Sequence, residues 1–156
     1  MKTFNLKEKP EYLNEVLELE LREWGTYSEE KLKEKITKVQ SYLKQDNFAK
    51  LILLDNNTLI GFISLFPTDG EYRTDLTPWY ATMYVKKEYR GKGYSKILND
   101  ALLSYAKERG YEKIYLKTEL NNYYEKFGAI YMEDLPNNEK LYYIDLRKWL
   151  HAINNW

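Results

Sequence analysis

Hydrophobic positions along the chain repeat with two periods, and the places where the period changes mark the elements. Over residues 11–24, Leu13, Val16, Leu17, Leu21 and Trp24 recur at helical intervals with Glu11, Glu15 and Glu18 opposite, which predicts an amphipathic helix stopped by Gly25. Ser28 followed by Glu29 and Glu30 supplies an N-cap and two carboxylates suited to a helix N-terminus, and Leu32, Ile36, Val39 and Leu43 carry a second helix to about Lys44. Residues 48–54 and 58–66 are aliphatic and aromatic runs separated by Asp55-Asn56-Asn57, whose side chains tolerate tight turns, and together they read as a β-hairpin.

Residues 67–78 form a polar loop containing Gly70, and 79–85 is a further strand bounded by Pro78, which cannot donate to a ladder. Tyr94, Ile97, Leu98, Ala101, Leu102, Tyr105 and Ala106 make the most regular helical stripe, closed by Gly110, so a strong helix begins directly after Arg90-Gly91-Lys92-Gly93. Residues 114–118 alternate as a strand, 121–127 fit a short helix stopped by Gly128, and 129–133 and 141–146 read as final strands. The order mixes α and β throughout, without internal repeat, low-complexity tract or dividing linker, so residues 1–156 are expected to form a single domain.

Composition narrows the chemistry. At 44% hydrophobic and 31% charged the chain is that of a folded domain. It has no apolar stretch approaching the roughly 20 residues that span a bilayer. Its first residues, MKTFNLKEKPEY, lack the apolar region of a signal peptide, so a cytoplasmic location without membrane association is expected. The absence of cysteine removes disulfides, thiolate zinc sites and cysteine nucleophiles, and His151 as the one histidine argues against a multi-histidine metal site or a Ser-His-Asp hydrolase, so no metal is expected. The formal net charge is zero and implies no global attraction to nucleic acid. Local charge is uneven: residues 11–30 carry seven acidic residues against Arg22, and 85–96 carry five basic residues against Glu88. Such runs are commonly solvated helix faces and loops, but they also suit a cationic and an anionic ligand respectively.

The segment from Lys86 to Gly93 carries the most specific signal. Glycines at the mouth of a helix let the backbone approach a ligand, and the first N–H groups of that helix lack intrahelical acceptors. A phosphate is the natural partner of those donors and of the helix dipole, with Arg90, Lys92 and Lys96 close by. The loop lacks the Gly-Lys-Ser/Thr ending of a Walker motif and the three-glycine spacing of the dinucleotide fingerprint.

Val85-x-x-Glu88-Tyr89-Arg90-Gly91-Lys92-Gly93-Tyr94-Ser95 resembles the acetyl-coenzyme A signature of the GNAT superfamily of N-acetyltransferases, matched at Arg90, Gly93 and Ser95. Tyr124-Glu125-Lys126-Phe127-Gly128-Ala129 resembles a second block of the family on the short helix after the fifth strand, and Pro78-Trp79-Tyr80-Ala81 resembles a subset of small bacterial members. Ser95 stands where Gly or Ala is usual, Ala129 where Phe is usual, and the stretch from Thr118 to Tyr124 is short for the family.

The resemblance implies an α/β fold: a mixed, mostly antiparallel six- or seven-stranded sheet, helices on both faces, and fourth and fifth strands that splay apart. It implies acetyl-CoA as cosubstrate, its pantetheine arm bonded to main-chain groups of Met83, Tyr84 and Val85 and its pyrophosphate resting on Arg90, Gly91, Lys92, Gly93, Tyr94 and Ser95. Asn121 is assigned to the same cofactor, and an N–H of the fourth strand to the oxyanion of the acyl-transfer step. The reaction implied is N-acetyl transfer to a primary amine by direct attack in a ternary complex, the acidic first helix favouring a cationic small molecule or peptide amine. The chain has 16 tyrosines, and only the motif around Tyr124 singles it out as the group that hydrogen-bonds or protonates the departing thiolate.

At pH 7, deprotonating a lysine-like amine costs about 4.6 kcal/mol, so a base or a desolvated site is required. Trp79–Val85 contains no carboxylate, which leaves Glu20, Glu23, Asp75, Glu119 or water. Trp24 and Trp79 either line the acceptor pocket or belong to the core. Two rival readings are a non-catalytic coenzyme A sensor or partner-binding module on the same fold, and nucleic-acid binding through the basic loop. The expected state is a monomer or a homodimer.

Overall fold

The computed structural model describes residues 1–149, so His151 lies outside the described residues. Seven strands, β1 (Lys2–Asn5), β2 (Ala49–Asp55), β3 (Thr58–Phe66), β4 (Trp79–Val85), β5 (Lys113–Thr118), β6 (Ile130–Asp134) and β7 (Lys140–Asp145), form one sheet in the order β1-β2-β3-β4-β5-β7-β6. Neighbours are antiparallel except β4 and β5, which run parallel and share one registered pair, Trp79 opposite Tyr115.

The helices α1 (Leu13–Trp24) and α2 (Glu29–Tyr42) cover one face and α3 (Tyr94–Glu108) the other. Alternation along β2 explains the split. Ile52 and Leu54 pack with Val16, Leu17 and Val39, whereas Leu51 and Leu53 pack with Leu98 and Leu102. A strand buried on both faces reads as a continuous apolar run, which is what residues 51–54 are. Ser28 caps α2 as its sequence suggests, accepting from the Lys31 N–H at 3.1 Å.

Several expectations shift. The first helix starts at Leu13, after a 3₁₀ turn at Pro10–Tyr12. β1, unanticipated, pairs with β2 at the sheet edge. The helix expected over 121–127 is a single 3₁₀ turn, Tyr124–Phe127, because Asn122 adopts the left-handed conformation (φ 58°) and interrupts any helical run before it.

The α1/α2 face holds a polar chain inside an otherwise apolar layer. Lys50 on β2 is buried; its Nζ donates to Glu20 Oε1 and to Ser64 Oγ, both at 2.9 Å. Lys50 and Ser64 are register partners, and Thr82 Oγ1 of β4 donates to the same Ser64 oxygen. Lys35 of α2 completes the set, 3.4 Å from Glu20 Oε2. Burial pushes the Glu20 carboxyl up, but the two ammonium groups outweigh it and hold it below the ordinary carboxylate range. A buried charge left without its partner is expensive, so Lys50→Ala is expected to destabilise the fold by about 3 to 5 kcal/mol in urea unfolding. The double replacement Glu20→Leu with Lys50→Met, which removes both charges, is expected to recover most of that loss.

Candidate active site

β4 is irregular where the chemistry is expected. Its register against β3 slips between Phe62 and Ser64, and Thr82 takes φ 43°, a left-handed conformation that is uncommon for a β-branched residue. Beyond Trp79 the edge of β4 that faces β5 has no strand partner, and two clefts open in the divergence.

The first cleft, about 350 Å³, lies at the C-terminal end of β4. A 3₁₀ turn at Lys87–Tyr89 leads into Arg90-Gly91-Lys92-Gly93 and then α3. Gly93 is the N-cap of α3 at φ 83°, no side chain caps the helix, and Gly91 sits at φ 77°. A Cβ built on either glycine meets nothing within 4 Å. The backbone angle rather than the space around it therefore favours glycine, and the helix begins with N–H groups that no side chain caps, an arrangement a pyrophosphate fits. Arg90 Nε donates to the Val85 carbonyl at 2.8 Å and its guanidinium lies 5.5 Å from the Tyr84 ring centre, which fastens the loop to β4.

Eight of the expected cofactor residues line this cleft: Met83, Tyr84, Val85, Arg90, Gly91, Gly93, Tyr94 and Ser95. Lys92 belongs to the same loop but not to the lining, and Asn121 lies elsewhere. Its Oδ1 accepts from Lys140 Nζ at 2.9 Å in a separate depression with Tyr131 and Tyr142.

The second cleft, about 370 Å³, runs between β4 and β5 and shares Met83 with the first. Tyr124 lines it, half-buried, its ring edge-on to Tyr80 at 5.8 Å and to Tyr123 at 4.8 Å. Burial, with Tyr123 adding to it, pushes the phenol up to about 12, so it is protonated at neutral pH. Trp24 lines the cleft, half exposed, and meets Tyr84 edge-on at 6.3 Å. Trp79 is core instead: it is fully buried, and its Nε1 donates to the Leu76 carbonyl at 2.8 Å.

The carboxylates sort by position. Glu20 is held in the buried ion pairs and lines neither cleft. Asp75 is clasped by Arg73 through two bonds of 3.0 Å, which hold its carboxyl below the usual range, and Glu119 is exposed outside both clefts. Glu23 lines the first cleft. The acidic groups in the second are Asp69 and Glu139, neither singled out by the sequence, because both sit in loops without motif or period.

The charge runs also partner one another. Glu15 pairs with Lys86 at 2.6 Å and Glu18 with Arg22 at 3.5 Å, which with Glu20 removes three of the seven acidic groups from any free acidic face. Among the described residues no group of three or more His, Cys, Asp and Glu is arranged to hold a metal ion, and no helix is long and apolar enough to cross a membrane.

Known proteins share this fold. The chain superposes on a spermidine N-acetyltransferase from Vibrio cholerae with a TM-score of 0.72 at 18% identity, covering 98% of this chain and 99% of that one. An N-acetyltransferase from Thermoplasma acidophilum in complex with coenzyme A gives 0.61 at 23% identity, covering 93% and 99%. N-alpha-acetyltransferase 30 of Schizosaccharomyces pombe is 35% identical over 82 residues, 49% of this chain and 54% of the relative, so the match spans about half of each. The model of the acetyltransferase (GNAT) family matches residues 13–129, from the start of α1 through both sequence motifs to Ala129, and the chain belongs to that family.

Proposed function

We propose that the protein transfers the acetyl group of acetyl-CoA to the nitrogen of a cationic primary amine, both substrates being bound before the amine attacks. The observation that carries the reading is that the two clefts meet at Met83, with a glycine-rich anion cradle at one end and two carboxylates beside Trp24 at the other. Unpaired main-chain groups of β4 need partners, and the amide-bearing pantetheine arm supplies them along Met83, Tyr84 and Val85. The N–H groups of Gly91 to Ser95 take the pyrophosphate.

The acceptor enters through the second cleft, its cation drawn by Asp69 and Glu139 and by the Trp24 ring. The relatives named for spermidine and for N-alpha acetylation act on amines, which supports this class. Amine attack forms the C–N bond and breaks the C–S bond. A phenol at about 12 does not hand its proton to a thiolate whose acid ionises near about 8.5, so Tyr124 serves as a hydrogen-bond donor to the departing sulfur rather than as a full proton donor.

Acetyl-CoA should raise the melting temperature by mass action. Gly93→Asp should abolish the shift while Gly93→Asn, uncharged and equally tolerant of a left-handed φ, keeps part of it. Equal shifts in wild type and Gly93→Asp would remove the loop from the site. Tyr124→Phe should leave acetyl-CoA binding nearly intact and lower kcat by about 10²–10³-fold, the cost of one donor to developing charge. Near-wild-type turnover of that variant would show that the sulfur leaves without the hydroxyl. A screen of primary amines by thiol release should find cations best, with acceptor KM rising as salt is added. Binding of acetyl-CoA without turnover of any amine would assign the chain to a coenzyme A sensor instead.

A further inference from the structure

A further cavity, of about 480 Å³, lies between α1, α2 and the adjoining ends of β2 and β3, and no residue that lines it lines either of the two clefts. We propose that it binds a hydroxylated aromatic carboxylate, a ligand separate from the substrates of acetyl transfer, with its carboxylate among the lysines of α2 and its hydroxyl on the buried pair Glu20 and Lys50. A cavity of this size, lined by apolar groups with a few placed polar ones, is the usual form of a small-molecule site. Its walls suit a ring. Phe48, directly before β2, and Phe66, the last residue of β3, lie with ring centres 5.2 Å apart and planes 18° apart, and Tyr42 meets Phe48 at 5.3 Å. Leu21 of α1 and Val39 of α2 complete the apolar lining. Tyr42 is exposed and Phe66 half-buried, so aromatic surface is left for a further ring to meet edge-on or offset.

The mouth sets the sign of the ligand. Lys31, Lys35 and Lys38 are spaced at i, i+4 and i+7 along α2, which puts them on one face of the helix, and all three line the cavity. Lys35 faces Glu20, whereas no carboxylate among the described residues pairs with Lys31 or Lys38. Glu34 is the one acid at the mouth, so four ammonium groups stand against two carboxylates in the whole lining. That excess draws an anion and repels a cation.

The inner end is polar, neutral and incompletely bonded. Glu20 and Lys50 are almost fully buried and pair at 2.9 Å. Two protons of the Lys50 ammonium are bonded, to Glu20 Oε1 and Ser64 Oγ. The third meets no oxygen acceptor among the described residues, only the rings of Phe66 and Phe48, whose centres lie 5.1 and 5.8 Å from Nζ. Glu20 Oε2 is likewise buried and accepts no hydrogen bond; Lys35 Nζ, 3.4 Å away, supplies charge without hydrogen-bond geometry. One spare donor and one spare acceptor on a single ion pair suit a group that both accepts and donates, and a phenolic hydroxyl does both. A purely apolar ligand leaves both unsatisfied, and a carboxylate placed there would face Glu20.

The test is isothermal titration of the full chain with a hydroxynaphthoate whose hydroxyl and carboxylate lie at opposite ends of the ring system. Binding should be saturable and should weaken as salt is added. The methoxy analogue, which accepts a hydrogen bond but donates none to Glu20, should bind at least about fivefold more weakly. The matching aminomethyl cation should not bind. Lys31→Glu combined with Lys38→Glu changes two exposed side chains, so the fold should stand while affinity for the hydroxynaphthoate falls by at least about fivefold. Lys92→Glu, which alters the charge of the glycine-rich loop instead, should leave that affinity unchanged. Absence of saturable binding up to about 1 mM overturns the proposal. So does a loss smaller than about fivefold in the double lysine variant or with the methoxy analogue, an equal loss in Lys92→Glu, or binding of the cation. None of these outcomes bears on acetyl transfer, because the titration involves neither of its substrates.

Discussion

The separation of β4 from β5 is the constraint on which the rest of the molecule depends. Two parallel strands in a sheet ordinarily bond along their length, yet here they are joined at one place and nowhere beyond it. The join is firm: the Tyr115 N–H donates to the Pro78 carbonyl at 3.0 Å, and fully buried Trp79 lies 6.0 Å from the Tyr115 ring. Past it, the slip at Thr82 turns β4 away, and its β5-facing groups are left to bond something other than a strand. Both clefts are consequences, one at the far end of β4 and one in the gap itself.

Holding a β-branched residue in a left-handed conformation costs free energy, of order 1–3 kcal/mol, and persists only where the surroundings over-determine it. Thr82 is so determined. Its hydroxyl is bound by Ser64, Ser64 by Lys50, and Lys50 by Glu20, a chain that crosses three adjacent strands to α1. Buried ion pairs seldom stabilise a fold more than apolar residues of the same volume would. What this one does is geometric: it fixes the helix whose last turn carries Glu23 and Trp24 over the two clefts to the strand that divides them.

Legibility in the sequence follows how local the determinant is. The caps at Ser28 and Gly93, the Asn56 turn and the stripe of α3 are all decided within a few residues, and each is readable. β1 is four residues with too little length to show a period, and it exists because β2 offers an edge. Thr82 carries no sign of its left-handed angle, since a threonine in an apolar run reads as ordinary strand. Glu20 looks like one more acid on a solvated helix face. Its partner lies 30 residues away in a run that otherwise reads as core, so neither its burial nor its absence from both clefts can be inferred from helical spacing.

The same distinction separates the two halves of the site. Main-chain donors able to hold a pyrophosphate come from consecutive residues, and much of the first cleft is accordingly written as one contiguous stretch from Arg90 to Ser95. The second cleft is assembled from Trp24, Asp69, Thr82, Lys117, Tyr124 and Glu139, which come from six separate parts of the chain and meet only because β4 and β5 diverge. A run of like charge is a poor guide to such a place. The acids of residues 11–30 are partly spent on Lys86, Arg22, Lys35 and Lys50, while the carboxylates that reach the gap come one at a time from loops. Reaction class is therefore legible in the motif, whereas the second cleft is lined by side chains that only the fold brings together.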